Sequence, residues 1–188
     1  MSDLSAIQKI LRKNSSPEGK AAHEKFVPGL EKAYGTRAPV INELAKQFKE
    51  GDFELVEELW NCEHIEEKIL AAKLLGKIAK KNPEKTLSLI KKFSKDISDW
   101  AVCDTLGMQS PKQINKTYAK EIFAISNQLI TSKNLWQRRL ALVLAEWYTR
   151  DKSFHPVIKQ LLKKVEGDKE YYVKKAVVWI NRNFRKGR

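Results

Sequence analysis

The segment Asp99-Trp100-Ala101-Val102-Cys103-Asp104 sets an indole and a carboxylate one helical turn apart, and residues at i and i+4 share a helix face. Such a pair can do electrostatic chemistry. A fixed carboxylate stabilises positive charge as it develops in a reaction, and an indole face adds cation–π attraction. Asp104 is conspicuous because the chain carries a formal charge of +13. Counting 35 residues forward from it reaches Arg139, and 36 more reach Lys175, at equivalent points of similar helices. Where those repeats show a cation, this one shows an anion. A non-catalytic account uses the same residues: beside Ala101, Val102, Leu106 and Met108 a carboxylate needs a partner, and a salt bridge to Arg139 or a helix-to-loop hydrogen bond supplies one. The sequence leaves both accounts open.

The last helix offers a second constellation. Val173, Ala176, Val177, Ile180 and Phe184 follow the spacing of a buried face, while Lys175, Trp179, Arg182 and Lys186 form another stripe. A basic row interrupted by an indole suits a nucleic-acid backbone with its sugars and bases, and equally describes a solvated charged face with its tryptophan tucked against a neighbour. Arg138 and Arg139 open the preceding helix behind Asn134-Leu135-Trp136, near free backbone amides that also favour a phosphodiester. Trp136, Leu140, Val143, Leu144 and Trp147 read as ordinary core, and so does Trp60. His23, His64 and His155 have no partner at metal-ligand spacing, no Ser-His-Asp set can be assembled, and no glycine-rich phosphate loop occurs. No metal and no cofactor is expected, so chemistry here would rest on carboxylate, indole and guanidinium groups.

The elements that must position these groups are helical. The 188 residues are 42% hydrophobic and 31% charged, a globular balance that fits one folded domain over residues 1–188. Periodicity places helices at about Leu4–Lys13, Pro17–Ala33, Pro39–Glu50, Phe53–Cys62, Ile65–Lys81, Pro83–Ser94, Asp99–Gly107, Thr117–Thr131, Leu135–Asp151, His155–Glu166 and Glu170–Lys186, with no convincing strand. Glu67-Lys68-Ile69-Leu70-Ala71-Ala72, Gln137-Arg138-Arg139-Leu140-Ala141-Leu142 and Val173-Lys174-Lys175-Ala176-Val177-Val178 recur at multiples of about 35 residues. Helix pairs of that length cannot bury their apolar faces alone and must stack. The expected fold is all-α: a HEAT-like repeat solenoid of stacked antiparallel helix pairs with a basic concave face.

Residues 134–188 hold 14 Lys and Arg against 5 Asp and Glu, so +9 of the +13 lies in the C-terminal third. This is the footprint of polyanion binding, shared by nucleic acid, an acidic protein surface and an anionic membrane. No apolar run is long enough to span a bilayer and the N-terminus lacks a secretory pattern, so a soluble intracellular protein is expected, cytoplasmic and nucleoid-associated if prokaryotic. Cys62 and Cys103 read as buried, reduced thiols.

Taken together, these segments resemble the AlkD-like DNA alkylation repair family of HEAT-like alkylpurine DNA glycosylases. Trp100-Ala-Val-Cys-Asp104 is similar to its Trp-x-x-x-Asp element, Asn134-Leu-Trp-Gln-Arg-Arg139 to its Asn-x-Trp-x-x-Arg element, and Val173-Lys-Lys-Ala-Val-Val-Trp179-Ile-Asn-Arg182 to its Lys-Ala-x-x-Trp-x-x-Arg helix. Tyr34-Gly-Thr-Arg37-Ala-Pro39 resembles the Gly-x-x-x-Pro turn near the family's N-terminus. The resemblance implies that Asp104 is the catalytic carboxylate, that Trp100 and Trp179 flank the lesion nucleotide, and that Arg139 contacts backbone nearby. Arg182 and Lys186 would hold phosphates, with Arg37, Arg138 and Lys175 completing the DNA-binding set. The implied activity is excision of 3-methyladenine and 7-methylguanine from duplex DNA by a monomer, leaving an abasic site without strand cleavage. The alternative is a non-catalytic HEAT-like module that binds nucleic acid or an acidic protein.

Overall fold

A computed structural model of the chain describes residues 2–27 and 32–186. Among these residues the regular structure is entirely helical: α1 (Asp3–Lys13), α2 (Pro17–Phe26), α3 (Ala38–Gln47), α4 (Phe53–Trp60), α5 (Ile65–Ile78), α6 (Pro83–Phe93), α7 (Trp100–Gln109), α8 (Ala119–Leu129), α9 (Leu135–Glu146), α10 (His155–Lys164) and α11 (Tyr171–Lys186). Local chemistry sets their starts. The side chains of Ser2, Ser16, Asp52, Asn82, Asp99 and Asn134 accept hydrogen bonds from first-turn amides, and Pro17 and Pro83 occupy opening positions where a missing N–H costs nothing.

Two expected helices end early. The segment expected to be helical over Pro17–Ala33 stops at Phe26, with Val27 already out of the helical region at φ −125° and ψ 77°. Pro28 follows it, and a residue before proline is held out of the α region. The remainder of that expected helix, residues 28–31, lies outside the described residues. The helix expected over Leu135–Asp151 is α-helical only to Glu146, and Trp147–Arg150 tighten into a 3-10 turn. The buried Tyr148 side chain is held there by donating its hydroxyl proton to the Asn115 carbonyl at 2.8 Å.

The helices stack as the repeat requires: α3, α5, α7, α9 and α11 pack in succession, with α4 against α5 and α8 against α9. This is the HEAT-like all-α solenoid expected from the 35-residue period. Hydrogen bonds recur near that spacing. Ser110 Oγ donates to the Ala72 carbonyl at 2.9 Å, and Asn183 Nδ2 to Glu146 at 2.8 Å. Gly76 makes the α5–α7 approach possible, since a Cβ there would sit 2.1 Å from the Gln109 carbonyl oxygen. Leu70, Ala71, Leu75, Leu106, Leu140, Ala141, Leu144, Val173 and Ile180 are buried between the layers, and Trp60 stacks on Phe93 at 4.2 Å as part of that core. Leu140, Val143 and Leu144 are buried as expected, with Trp136 and Trp147 only partly so. Cys103 is buried and Cys62 half-buried, both free thiols.

The helix α2 is attached differently. Of its residues whose burial is described, only Gly19 is buried. Gly35, at φ +79°, takes a conformation that side chains disfavour, and its carbonyl lies so close to Gly19 that a Cβ on Gly19 would meet it at 1.9 Å. The Gly35 turn is in turn gripped by the buried Glu66, whose carboxylate accepts the amides of Tyr34, Gly35 and Thr36 at 3.1, 2.7 and 3.1 Å. His23 Nδ1 on α2 lies 3.5 Å from the same carboxylate. Among the described residues no helix is long and apolar enough to cross a membrane.

Candidate active site

Asp99 begins the site. Its buried side chain accepts the Val102 amide at 2.9 Å and so fixes the first turn of α7, from which Trp100 and Asp104 project one turn apart. From α9, Arg139 reaches Asp104 with two parallel hydrogen bonds, Nε to Oδ1 at 2.9 Å and Nη2 to Oδ2 at 2.8 Å. Its Nη1 donates to the Tyr172 carbonyl at 2.6 Å, so one guanidinium ties α7 to α9 and to the start of α11. Both Asp104 oxygens accept, the pattern of an ionised carboxylate. The salt bridge considered from sequence is therefore present. It is not symmetric, however: the Asp104 side chain is 20% exposed and that of Arg139 only 8%. The anion is the more open end of the pair. Burial pushes the Asp104 carboxyl above its ordinary range, against the opposing pull of Arg139. Beneath it, burial holds the Cys103 thiol well above its usual value, which keeps the thiolate out of the site's chemistry.

Asp104 opens onto a cavity of about 640 Å³ lined by Lys25, Trp100, Asp104, Arg139, Tyr171, Tyr172, Lys175, Val178, Trp179 and Arg182. Trp100 and Asp104 on α7 and Trp179 on α11, far apart in sequence, thus line one cavity with Arg139, Lys175 and Arg182. Four cations face one anion there, so the local field favours a polyanionic ligand while Asp104 supplies the single negative point. Behind the wall Trp136 packs on Tyr172 with ring centroids 4.8 Å apart, and Lys175 Nζ sits 5.6 Å from the Tyr171 ring centre.

The other expected DNA contacts are placed elsewhere. Arg138 is occupied: Nε meets Asp168 Oδ2 at 2.6 Å, Nη2 meets Oδ1 at 3.3 Å, and Nη1 bonds the Ser132 and Lys133 carbonyls at 2.8 and 2.9 Å. Asp168 also accepts the Glu170 amide at 2.9 Å, so Arg138 anchors the loop that launches α11. Arg37 is exposed before α3 and Lys186 is exposed in the last turn of α11, neither on the cavity wall. Sequence reasoning missed Lys25, Tyr171, Tyr172 and Val178. Extending the Lys175–Arg182 stripe back one turn reaches Tyr171, whereas nothing in the chain signals that α2 swings Lys25 to this wall. Among the described residues, no three His, Cys, Asp or Glu side chains are grouped to hold a metal ion.

The chain is thus a stacked helical-repeat protein with an aromatic-lined cavity that carries one carboxylate among several cations. The family model for "DNA alkylation repair enzyme" matches residues 7–186, and the chain belongs to that family. Among solved structures, a "Predicted DNA alkylation repair enzyme from Enterococcus faecalis" superposes with a TM-score of 0.80 at 18% identity, over 93% of this chain and 84% of the other. That likeness is one of fold. No curated protein matches the sequence. The family resemblance drawn from the four motifs is thereby shown, and it places the chain in DNA alkylation repair.

Proposed function

We propose that this chain is a monofunctional DNA glycosylase that removes cationic N3- and N7-alkylated purines from duplex DNA and leaves an abasic site. The observation that carries the reading is that Asp104, the more exposed member of its pair with Arg139, lines a cavity together with Trp100 and Trp179. An alkylated purine already bears positive charge, so the C1′–N bond breaks with its electron pair leaving on the base, which departs neutral. The sugar is left with oxocarbenium character. The Asp104 anion stabilises that charge and the two indole faces add to the attraction, and water then adds to C1′ with its proton passing to solvent. Lys175 and Arg182 suit the flanking phosphates. Arg139 is a positioning residue, its guanidinium engaged in holding the carboxylate, and Arg138 is reassigned from phosphate contact to support of α11.

The bidentate pair also favours a second reading, in which Asp104 and Arg139 only staple repeats of a DNA-binding scaffold. Release of 7-methylguanine and 3-methyladenine from methylated DNA separates the two. Wild type should release both bases, and Asp104→Asn should lose roughly 10²–10³-fold in rate while still binding DNA. No release at enzyme excess sinks the glycosylase reading.

A further inference from the structure

The helix α2 presents different faces to two places in the fold. Gly19 and His23, one turn apart, lie on the side that meets the Gly35 turn and the Glu66 carboxylate. Lys25, two residues past His23, stands about 200° round the helix and lines the cavity. Little else seats α2, since Gly19 is the only buried residue among those whose burial is described. The Gly19 contact is one of shape, and the polar contact beside it is incomplete. Glu66 is fully buried and already accepts the amides of Tyr34, Gly35 and Thr36, whereas an ionised carboxylate has room for about four donors. His23 Nδ1 faces it at 3.5 Å, is itself buried, and bonds to no other group. Among the described ion pairs no Lys or Arg meets Glu66, so the imidazole is the group placed to complete that carboxylate's set of donors.

We infer that His23 is a positioning residue: its Nδ1–H latches α2 onto the buried Glu66 carboxylate and so keeps Lys25, on the opposite face of the same helix, at the cavity. The part played by Lys25 rests on the DNA reading above, whereas the latch is a property of the free protein. Because α2 adds so little to the core, its release leaves the stacked repeats intact.

Amide hydrogen exchange followed by mass spectrometry tests the latch without DNA. His23→Ala should raise exchange across α2 by about 5- to 50-fold, while the Tyr34, Gly35 and Thr36 amides, still bonded to Glu66, keep their protection. His23→Asn, whose side-chain amide nitrogen takes the place of Nδ1, should recover most of the protection of α2. Unchanged exchange in His23→Ala, loss of protection in both α2 and the Gly35 turn, or no rescue by asparagine overturns the inference. Duplex binding then tests the link to Lys25. His23→Ala and Lys25→Ala should each weaken binding by about 3- to 10-fold, and His23→Ala should add little in a Lys25→Ala background. Fully additive losses overturn the inference, because His23 would then act otherwise than through Lys25. If wild type binds no duplex, the DNA reading falls, and the exchange results still decide the latch.

Discussion

Asp104 is a carboxylate pulled in two directions. Burial raises the pH at which it takes up a proton, and the Arg139 guanidinium opposes that rise. If the anion is the working form, single-turnover excision should fall as pH drops through a value above the 3.8 of an ordinary aspartate. Removing the Arg139 charge takes away the lowering influence and leaves the raising one. Arg139→Gln should therefore shift the acid limb of the pH–rate profile upward, and because it leaves the Asp104 anion unpaired in the cavity it should also weaken DNA binding. An acid limb that does not move would refute the positioning role. The sequence posed this pair as one of two possibilities, because a 35-residue offset fixes neighbours in adjacent repeats but not which rotamers meet. Side-chain exposure decides which end faces outward, and no spacing encodes it.

At the scale of helices, periodicity and caps located nearly every element to within a few residues. Asp99, Asn82 and Asn134 each mark a start that the structure keeps. What could not be read was α2's path, since that helix has no apolar stripe to declare a partner and is seated by a glycine contact and the Glu66 carboxylate. The tolerance of the stack is another such feature. Gly76→Ala would gain about 1 kcal/mol of helix propensity, yet its Cβ would press on a backbone carbonyl 2.1 Å away that can yield only if α7 shifts. Overpacking of this kind typically costs about 1–3 kcal/mol, so the clash wins. A lowered melting temperature with a disproportionate loss of excision is expected, because α7 carries both Trp100 and Asp104. Thermal denaturation beside the base-release assay checks it.

For the molecule as a whole, formal charge overstates the field available to DNA. Arg138 and Arg139 count toward the +9 of the C-terminal third but are cancelled by Asp168 and Asp104. Lys175 and Arg182 line the cavity with no acid paired to them among the described ion pairs. Single alanine substitutions should show this. Lys175→Ala and Arg182→Ala should each lower the slope of log K against log salt by about 1, and Arg138→Ala should leave it unchanged while lowering stability. Equal slopes for all three would refute the assignment. Composition revealed the excess of charge but could not apportion it, because pairing such as Arg138 with Asp168 depends on how a loop closes.

Arg139 joins three successive inner helices through a single planar group. A solenoid bends like a spring, by small rotations between neighbouring coils. At this one coil the spring is pinned, and the pin is the same group that aims the carboxylate. Curvature of the array and the aim of Asp104 are therefore mechanically coupled: a ligand that straightens or tightens the stack around α9 must also turn its carboxylate.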